Sequence, residues 1–327
     1  MRQPVRQWDD AVRARTRLLA NEDPVHPSLA SRYHGPSPMY LVHFSFRREG
    51  ICLASPARVT RLALLVLTLA CHATSAVAQK APAPEPRLNQ PGKDVQWVPT
   101  PAALVDKMLD LAQVTRDDRF VDLGSGDGVL VIAAAKRGAK AKGIEYDRGL
   151  VELSKQRAAE AGVGDKTRFV RGDIFKTDFS DATVVTTFLL PSMNLRLRPT
   201  FLAMKPGTRI VANTFAIGDW EPEQTVTLED PCERWCKAML WVVPARVGGV
   251  WLTPRGDLTV TQKFQFFSGT LGRDPIENGR LHGEEISFTA GGVSYQGRVE
   301  DDRMRVNAIV DGKPVTWTAR PAPTSRR

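Results

Sequence analysis

Three glycines within the ten residues VDLGSGDGVL (Val121–Leu130) restrict this chain more than any other feature. They follow an apolar run, RFVDLG, with strand character, and lead into VIAAAKRG, which reads as a helix. In open α/β sheets a ligand lies beyond the carboxyl ends of the strands, against such a turn. Gly124 and Gly126 permit the bend and keep side chains out of the approach path, while Gly128 lets the helix pack onto the strand. The dinucleotide fingerprint is G-x-G-x-x-G, but here the third glycine comes one residue sooner. Asp127 also stands inside the loop, awkward for a pyrophosphate and suited to a cationic ligand. No Gly-Lys-Ser/Thr follows, so the loop is not a phosphate-binding P-loop either.

Strand and helix patterns alternate from Thr100 to about Pro244, which predicts an α/β fold with a mostly parallel, doubly wound sheet of Rossmann-like type. The first helix is expected over TPAALVDKMLDLAQV, with Thr100 as its cap and Pro101 in its first turn. A later helix in NLRLRPTFLAMKPG is expected to be interrupted by Pro199. EQTVTLED and KAMLWVVPA can close the sheet as an antiparallel hairpin. Acids fall at successive strand ends. Asp122 precedes the first glycine, Glu145 closes the second strand at the spacing of a carboxylate that grips a ribose diol, and Asp173 closes the third, able to accept from an adenine amine. With Ser125 and the three glycines, these acids make up the expected cofactor site.

In VDLGSGDG, GIEYD and RGDIF the chain resembles the class I S-adenosylmethionine-dependent methyltransferases. More narrowly, WVPTP (Trp97–Pro101) with TFLLPSMNLRLRP (Thr187–Pro199) is similar to bacterial relatives of the ATP-synthase c-subunit lysine methyltransferase family. The resemblance covers roughly residues 95–222 and implies a seven-stranded sheet, S-adenosylmethionine as methyl donor, and a protein lysine or a small amine as acceptor. Methyl transfer needs in-line positioning rather than a metal or an imidazole. The acceptor is expected beside the fourth strand, with Thr187, Phe188 and Pro191 as walls, Thr100 and Trp97 opposite, and Trp220 as a cap. A second reading, from another class, is an exported non-catalytic protein that keeps the nucleoside pocket.

Histidine usage narrows the chemistry further. Of five histidines, only His282 lies beyond residue 72, which leaves histidine-dependent hydrolysis without a partner set. The net charge of +9 gives no argument for nucleic acid. Residues 1–78 hold 10 of the 45 Lys and Arg and 5 of the 36 Asp and Glu, so the remainder carries 35 basic against 31 acidic side chains.

The apolar run Arg61–Ala70 follows Arg58 and precedes Ala76-Val77-Ala78, the pattern of a signal peptide over 58–78. Residues 1–57 read as an extension ahead of the true start, near Met39 or Val59, and 79–94 as a Pro-rich linker. The run is too short to span a bilayer. A periplasmic enzyme follows, with a membrane-proximal substrate allowed and cytoplasmic or membrane-anchored placement as alternatives. A lipoprotein cleavage before Cys71 is weaker, because Thr68 stands where a large aliphatic residue is usual. Cys232 and Cys236 in CERWC are too few for a zinc site. They would be too far apart to pair along one strand, so either a turn joins them or they remain two thiols. The methyltransferase domain is expected over 95–245. Over 246–327 alternating runs such as DLTVTQKFQF, EISFTAGGVSYQGRV and PVTWTAR predict a small antiparallel sheet or partial barrel.

Overall fold

The computed structural model describes residues 97–323 apart from 230, 231 and 233. The expected extension, signal peptide and linker lie outside the described residues. The first half is a seven-stranded sheet with four helices. In chain order these are α1 (Ala102–Leu111), β1 (Arg119–Leu123), α2 (Val129–Lys136), β2 (Lys140–Glu145), α3 (Arg148–Glu160), β3 (Thr167–Arg171), β4 (Val184–Thr187), α4 (Pro191–Ala203), β5 (Arg209–Asn213), β6 (Gln224–Thr227) and β7 (Lys237–Val242). The strand order is β3-β2-β1-β4-β5-β7-β6. Strands β1 to β5 pair in parallel, while β7 runs antiparallel to both β5 and β6, so the expected closing hairpin is present. The order reverses between β1 and β4, and a crevice opens outside the carboxyl ends of strands at such a point.

Alternation along each strand sends side chains to two cores. Phe120 packs with Leu104, Met108, Leu130 and Val131 on one face. Val121 and Leu123 pack with Leu197, Phe201 and Ile210 on the other. Both faces are thus covered, which is why the central strands β1, β4 and β5 are buried along almost their whole length. Two local expectations need correction. Helix α1 is capped by Pro101, whose carbonyl accepts from Leu104 and Val105, and Thr100 makes no capping bond. Helix α4 continues through Pro199, because that ring sits on the exposed side while Leu197 and Phe201 anchor the opposite face.

The second half is a closed eight-stranded barrel, β8 (Gly249–Thr253), β9 (Gly256–Lys263), β10 (Phe266–Leu271), β11 (Asp274–His282), β12 (Glu285–Ala290), β13 (Val293–Glu300), β14 (Arg303–Val310) and β15 (Lys313–Pro321). Closure goes beyond the open sheet or partial barrel expected from alternation alone. The pairing of Arg320 with Leu252 and of Pro321 with Trp251 completes it. Tight coiling depends on glycine: a Cβ at Gly269 would lie 1.8 Å from the Thr259 carbonyl oxygen, and one at Gly297 would lie 2.1 Å from that of Arg305. Trp251, Phe267, Phe288, Tyr295 and Trp317 fill the interior, while Arg303 and Arg305 project outward.

The barrel plugs into the sheet through its β9–β10 turn. Trp220 donates to Gln265 Oε1 at 2.9 Å, Gln265 donates to the Glu221 carbonyl at 2.9 Å, and Phe264 stacks on Trp220 with centroids 5.9 Å apart. Gln265 is itself buried, so both of its amide ends are satisfied across the junction.

One ion pair ties the opposite end of the sheet. Asp118, before β1, pairs with Arg209 of β5 and accepts from Thr183 Oγ1 at 2.7 Å and the Thr115 N–H at 2.8 Å. Arg209 also donates to the Ala112 carbonyl at 2.7 Å, holding the end of α1. Burial alone would raise the Asp118 pKa, yet bonds from Thr183 and Thr115 and the Arg209 charge hold it below its ordinary value. A depressed carboxylate stabilises the fold above its unfolded pKa and loses that contribution as the pH falls through the folded value. Asp118→Ala would leave Arg209 partly buried without its carboxylate, at a cost of about 3–5 kcal/mol. Urea denaturation at pH 7 is expected to show that loss, with a smaller difference from wild type at pH 3.

Candidate active site

The glycine loop leaves β1 and enters α2 as the spacing requires. Gly124, Gly126 and Gly128 have φ of 75°, 53° and 82°. The Gly124 and Ser125 N–H groups both donate to the Ile144 carbonyl, at 2.9 and 3.1 Å, which ties the loop to β2. Gly128 caps α2, and a Cβ there would lie 2.9 Å from both Phe169 and Ser154, so helix packing explains this glycine. A Cβ at Gly126 would lie 2.7 Å from the Trp97 indole nitrogen. Trp97 therefore sits against the loop itself.

The loop opens on a cleft of about 930 Å³ at the β1–β4 reversal. Asp122, Asp127, Glu145 and Asp173 all line it, so the strand-end acids do share one cavity. Their local roles differ. Asp122 is 4% exposed and accepts from Thr186 Oγ1 at 2.7 Å. Burial pushes its pKa up to about 7, helped by the Glu145 and Asp127 charges and opposed by the Thr186 bond. Asp127 pairs with Arg157 of α3, so its charge is already compensated by the protein rather than left for a cationic ligand. Glu145 accepts from the Gly126 N–H at 2.9 Å and the Asp147 N–H at 2.8 Å, so the acid at the end of β2 also braces the loop. Asp173 accepts from the Phe175 N–H at 2.9 Å. Ser125 lines the cleft, but its Oγ lies toward β2, where a Cβ at Gly143 would come within 2.5 Å, and it has no hydrogen-bond partner among the described residues.

The acceptor-side expectations divide. Thr100, Trp97 and Phe188 line the cleft. Thr187 does not: it closes β4 fully buried, with its hydroxyl unpartnered. Successive residues of an extended segment face opposite ways, so Phe188 reaches the cleft and Thr187 turns beneath it. Pro191 begins α4 on the exposed surface, and Leu190 takes the wall in its place. Trp220 is 1% exposed and holds the barrel junction, so it does not cap the cleft. His282 stands on β11 beside Glu223, at 3.8 Å.

Sequence reasoning missed Phe215, after β5, and Trp235, between β6 and β7, both of which line the cleft. The only signal for Phe215 was its place beyond a strand end, and Trp235 had none. Trp235 lies inside the CERWC segment, where Cys232 and Cys236 form a disulfide with Cα atoms 5.9 Å apart. Four residues of extended strand would span about 13 Å. The turn needed for pairing is present, with Trp235 at φ 60°.

The ANTKMT methyltransferase domain family matches residues 122–224. A protein-lysine N-methyltransferase of Saccharolobus islandicus is 40% identical over 139 residues, which are 42% of this chain and 86% of that protein. The ATP-synthase c-subunit lysine N-methyltransferase of Mus musculus is 35% identical over 130 residues, 39% of this chain and about half (52%) of that protein. A solved structure of an RNA methyltransferase from Salinibacter ruber, in complex with S-adenosyl-L-homocysteine, is 46% identical, covers 46% of this chain and 96% of its own, and has a TM-score of 0.44. The chain is an S-adenosylmethionine-dependent methyltransferase, with S-adenosylmethionine as cofactor. Within that class the chain belongs to the family of the protein-lysine N-methyltransferases it resembles, and the non-catalytic reading is not favoured.

A raised Asp122 pKa gives the cofactor site a pH signature. Binding a cation favours the ionised carboxylate, so the complex forms with proton release below about pH 7 and affinity rises with pH up to that point. Calorimetric titration with S-adenosylmethionine between pH 5.5 and 8.5 is expected to show that rise, and Asp122→Asn is expected to flatten it. Gly126→Val, which strains a positive φ and drives into Trp97, and Glu145→Ala, which frees the Gly126 and Asp147 N–H groups, are expected to abolish binding at every pH while far-UV circular dichroism is retained.

Proposed function

We propose that this enzyme methylates the side-chain nitrogen of a lysine in a protein acceptor. The observation that carries the reading is the single cleft that runs from the acid-lined glycine loop to an aromatic end at Phe188, Phe215 and Trp235. The names of the relatives agree with it, and the match to the Saccharolobus islandicus protein spans most of that enzyme. The finer fold reading, a doubly wound Rossmann-like sheet, is supported by the parallel β1–β5 run and the cores on both faces.

When bound, S-adenosylmethionine supplies a methyl group already activated by its sulfonium. The chain's own residues have to bind, orient and shield. The loop backbone of Gly124–Gly126 would accept its close approach, Glu145 and Asp173 would take the hydroxyl and amine edges of the nucleoside, and ionised Asp122 would face its positive charge. An unprotonated acceptor nitrogen held beside Phe188 would receive that methyl group, the bonding pair staying with sulfur, and would pass its proton to water. Holding donor and acceptor together in one cleft would supply most of the acceleration, since effective molarities from such positioning are large. Phe188, Trp97 and Thr100 wall the acceptor end and exclude water.

Export to an oxidising compartment belongs to the same reading. It is supported by the Arg61–Ala70 run with its Ala76-Val77-Ala78 site and by the Cys232–Cys236 bond, since structural disulfides persist outside the reducing cytosol. N-terminal sequencing of the protein from its host is expected to begin at Gln79; recovery of Met1 or Arg2 would refute export by this signal.

The substrate assignment is tested by incubating the full chain with methyl-labelled donor and extracts of the host envelope. Label is expected in protein, on lysine Nε and stable to base, and reduced at least 100-fold with Glu145→Ala. Label recovered in RNA, or lost from protein on base treatment, would overturn the lysine reading.

A further inference from the structure

Three aromatic rings form the end of the cleft farthest along the chain from the glycine loop. Phe188 and Phe215 lie nearly parallel, with centroids 6.3 Å apart and planes 26° apart. The Trp235 ring lies across both, 5.8 Å from Phe188 at 62° and 5.5 Å from Phe215 at 54°. All three are half-buried and line the cleft, and they pack on one another rather than among the side chains of the cores beneath. A ring cluster that stays half-open is expensive as a purely structural device, because its apolar area is not removed from water. It becomes intelligible as a wall awaiting an apolar or cationic group.

The sequence supplies these rings from three separate places. Phe188 follows β4, Phe215 follows β5, and Trp235 belongs to the connection before β7. The first two ride on parallel strands whose ends are fixed by the sheet. Trp235 has no such support. It takes a left-handed φ of 60°, which is strained for a bulky residue, one position before Cys236. The Cys232–Cys236 bond closes that segment on itself with Cα atoms 5.9 Å apart. Trp235 also lies beyond residues 122–224, the stretch matched by the methyltransferase family.

We propose that Phe188, Phe215 and Trp235 are the acceptor subsite, that Trp235 is its specificity-determining member for a cationic alkylammonium side chain, and that the Cys232–Cys236 disulfide holds Trp235 in place. The proposal rests on the methyl-transfer reading above and deepens it. A lysine stem lies along aromatic faces, and its ammonium or methylated ammonium, seated over the cluster, comes within the roughly 6 Å range in which each ring attracts a cation. Indole carries the strongest such attraction of the three ring types, so Trp235 dominates the preference. The neutral amine needed for attack and the methylated cation formed by it share the same stem. The wall therefore holds partly methylated lysine in place for a further round.

The test uses a charged probe and a neutral one of the same shape. Full-length protein saturated with S-adenosyl-L-homocysteine is titrated with Nα-acetyl-trimethyllysine amide and with its tert-butyl carbon isostere, followed by ligand-observed NMR. Wild type is expected to prefer the cation about tenfold. Trp235→Leu, which keeps apolar bulk, is expected to bring the two probes to parity, and Trp235→Phe to keep part of the preference. Cys232→Ser with Cys236→Ser is expected to lower the preference as well, with little added effect on the Trp235→Leu background. S-adenosyl-L-homocysteine affinity, unchanged throughout, reports an intact fold. Equal binding of the two probes by wild type, no saturable binding of either, or a preference that survives Trp235→Leu overturns the subsite. A preference unaltered by the double serine variant overturns the holding role of the disulfide. Label on lysine in the extract experiment stands apart from these outcomes, so failure here leaves the acceptor assignment untouched, and failure there is seen without reference to Trp235.

Discussion

The site depends on how the loop after β1 is tied to β2. Two consecutive N–H groups, of Gly124 and Ser125, share the Ile144 carbonyl, and the next, of Gly126, meets the Glu145 carboxylate. Each bond requires a backbone course that only glycine adopts without strain at 124 and 126. Because Glu145 directly follows Ile144, the same three bonds that shape the loop also place the second carboxylate. Asp122 then sits under the bend, where burial, with the Glu145 and Asp127 charges, pushes its pKa up to about 7. Loop shape, acid placement and charge state thus share one set of contacts.

The parallel half was legible because its physics is local. Strands β1, β4 and β5 are almost wholly buried, and the glycines announce their turn by spacing alone. Of the acids expected at strand ends, Glu145 does end β2, whereas Asp122 lies one residue before the end of β1 and Asp173 two residues past β3. What each acid bonds to was not legible. Asp127 is satisfied by Arg157, thirty residues on in the last turn of α3, and nothing in the loop's own sequence selects that partner.

The misreadings have a common cause. The sequence pattern puts Thr187, Phe188 and Pro191 on one wall, but an extended segment shows only alternate residues to a given side, and the register is not in the sequence. Pro199 was expected to break a helix that its buried neighbours Leu197 and Phe201 hold together. The barrel's closure joins β8 to β15, more than sixty residues apart, and alternation sets which face is inward without saying which strands meet. Trp235 is placed by a covalent crosslink and a left-handed backbone, neither of which leaves a periodic trace.

The turn between β9 and β10 has a consequence for how the two halves can exist. Phe264 and Gln265 are barrel residues, yet they complete the packing and hydrogen bonding of Trp220, whose carbonyl in turn accepts from Trp241 on β7. A chain ending at Val243 would strip Phe264 from the face of Trp220 and leave the Trp220 indole N–H unsatisfied. The barrel is therefore a keystone rather than an appendage. A shortened enzyme lacking it would be expected to aggregate through that bared tryptophan patch before its chemistry could be judged.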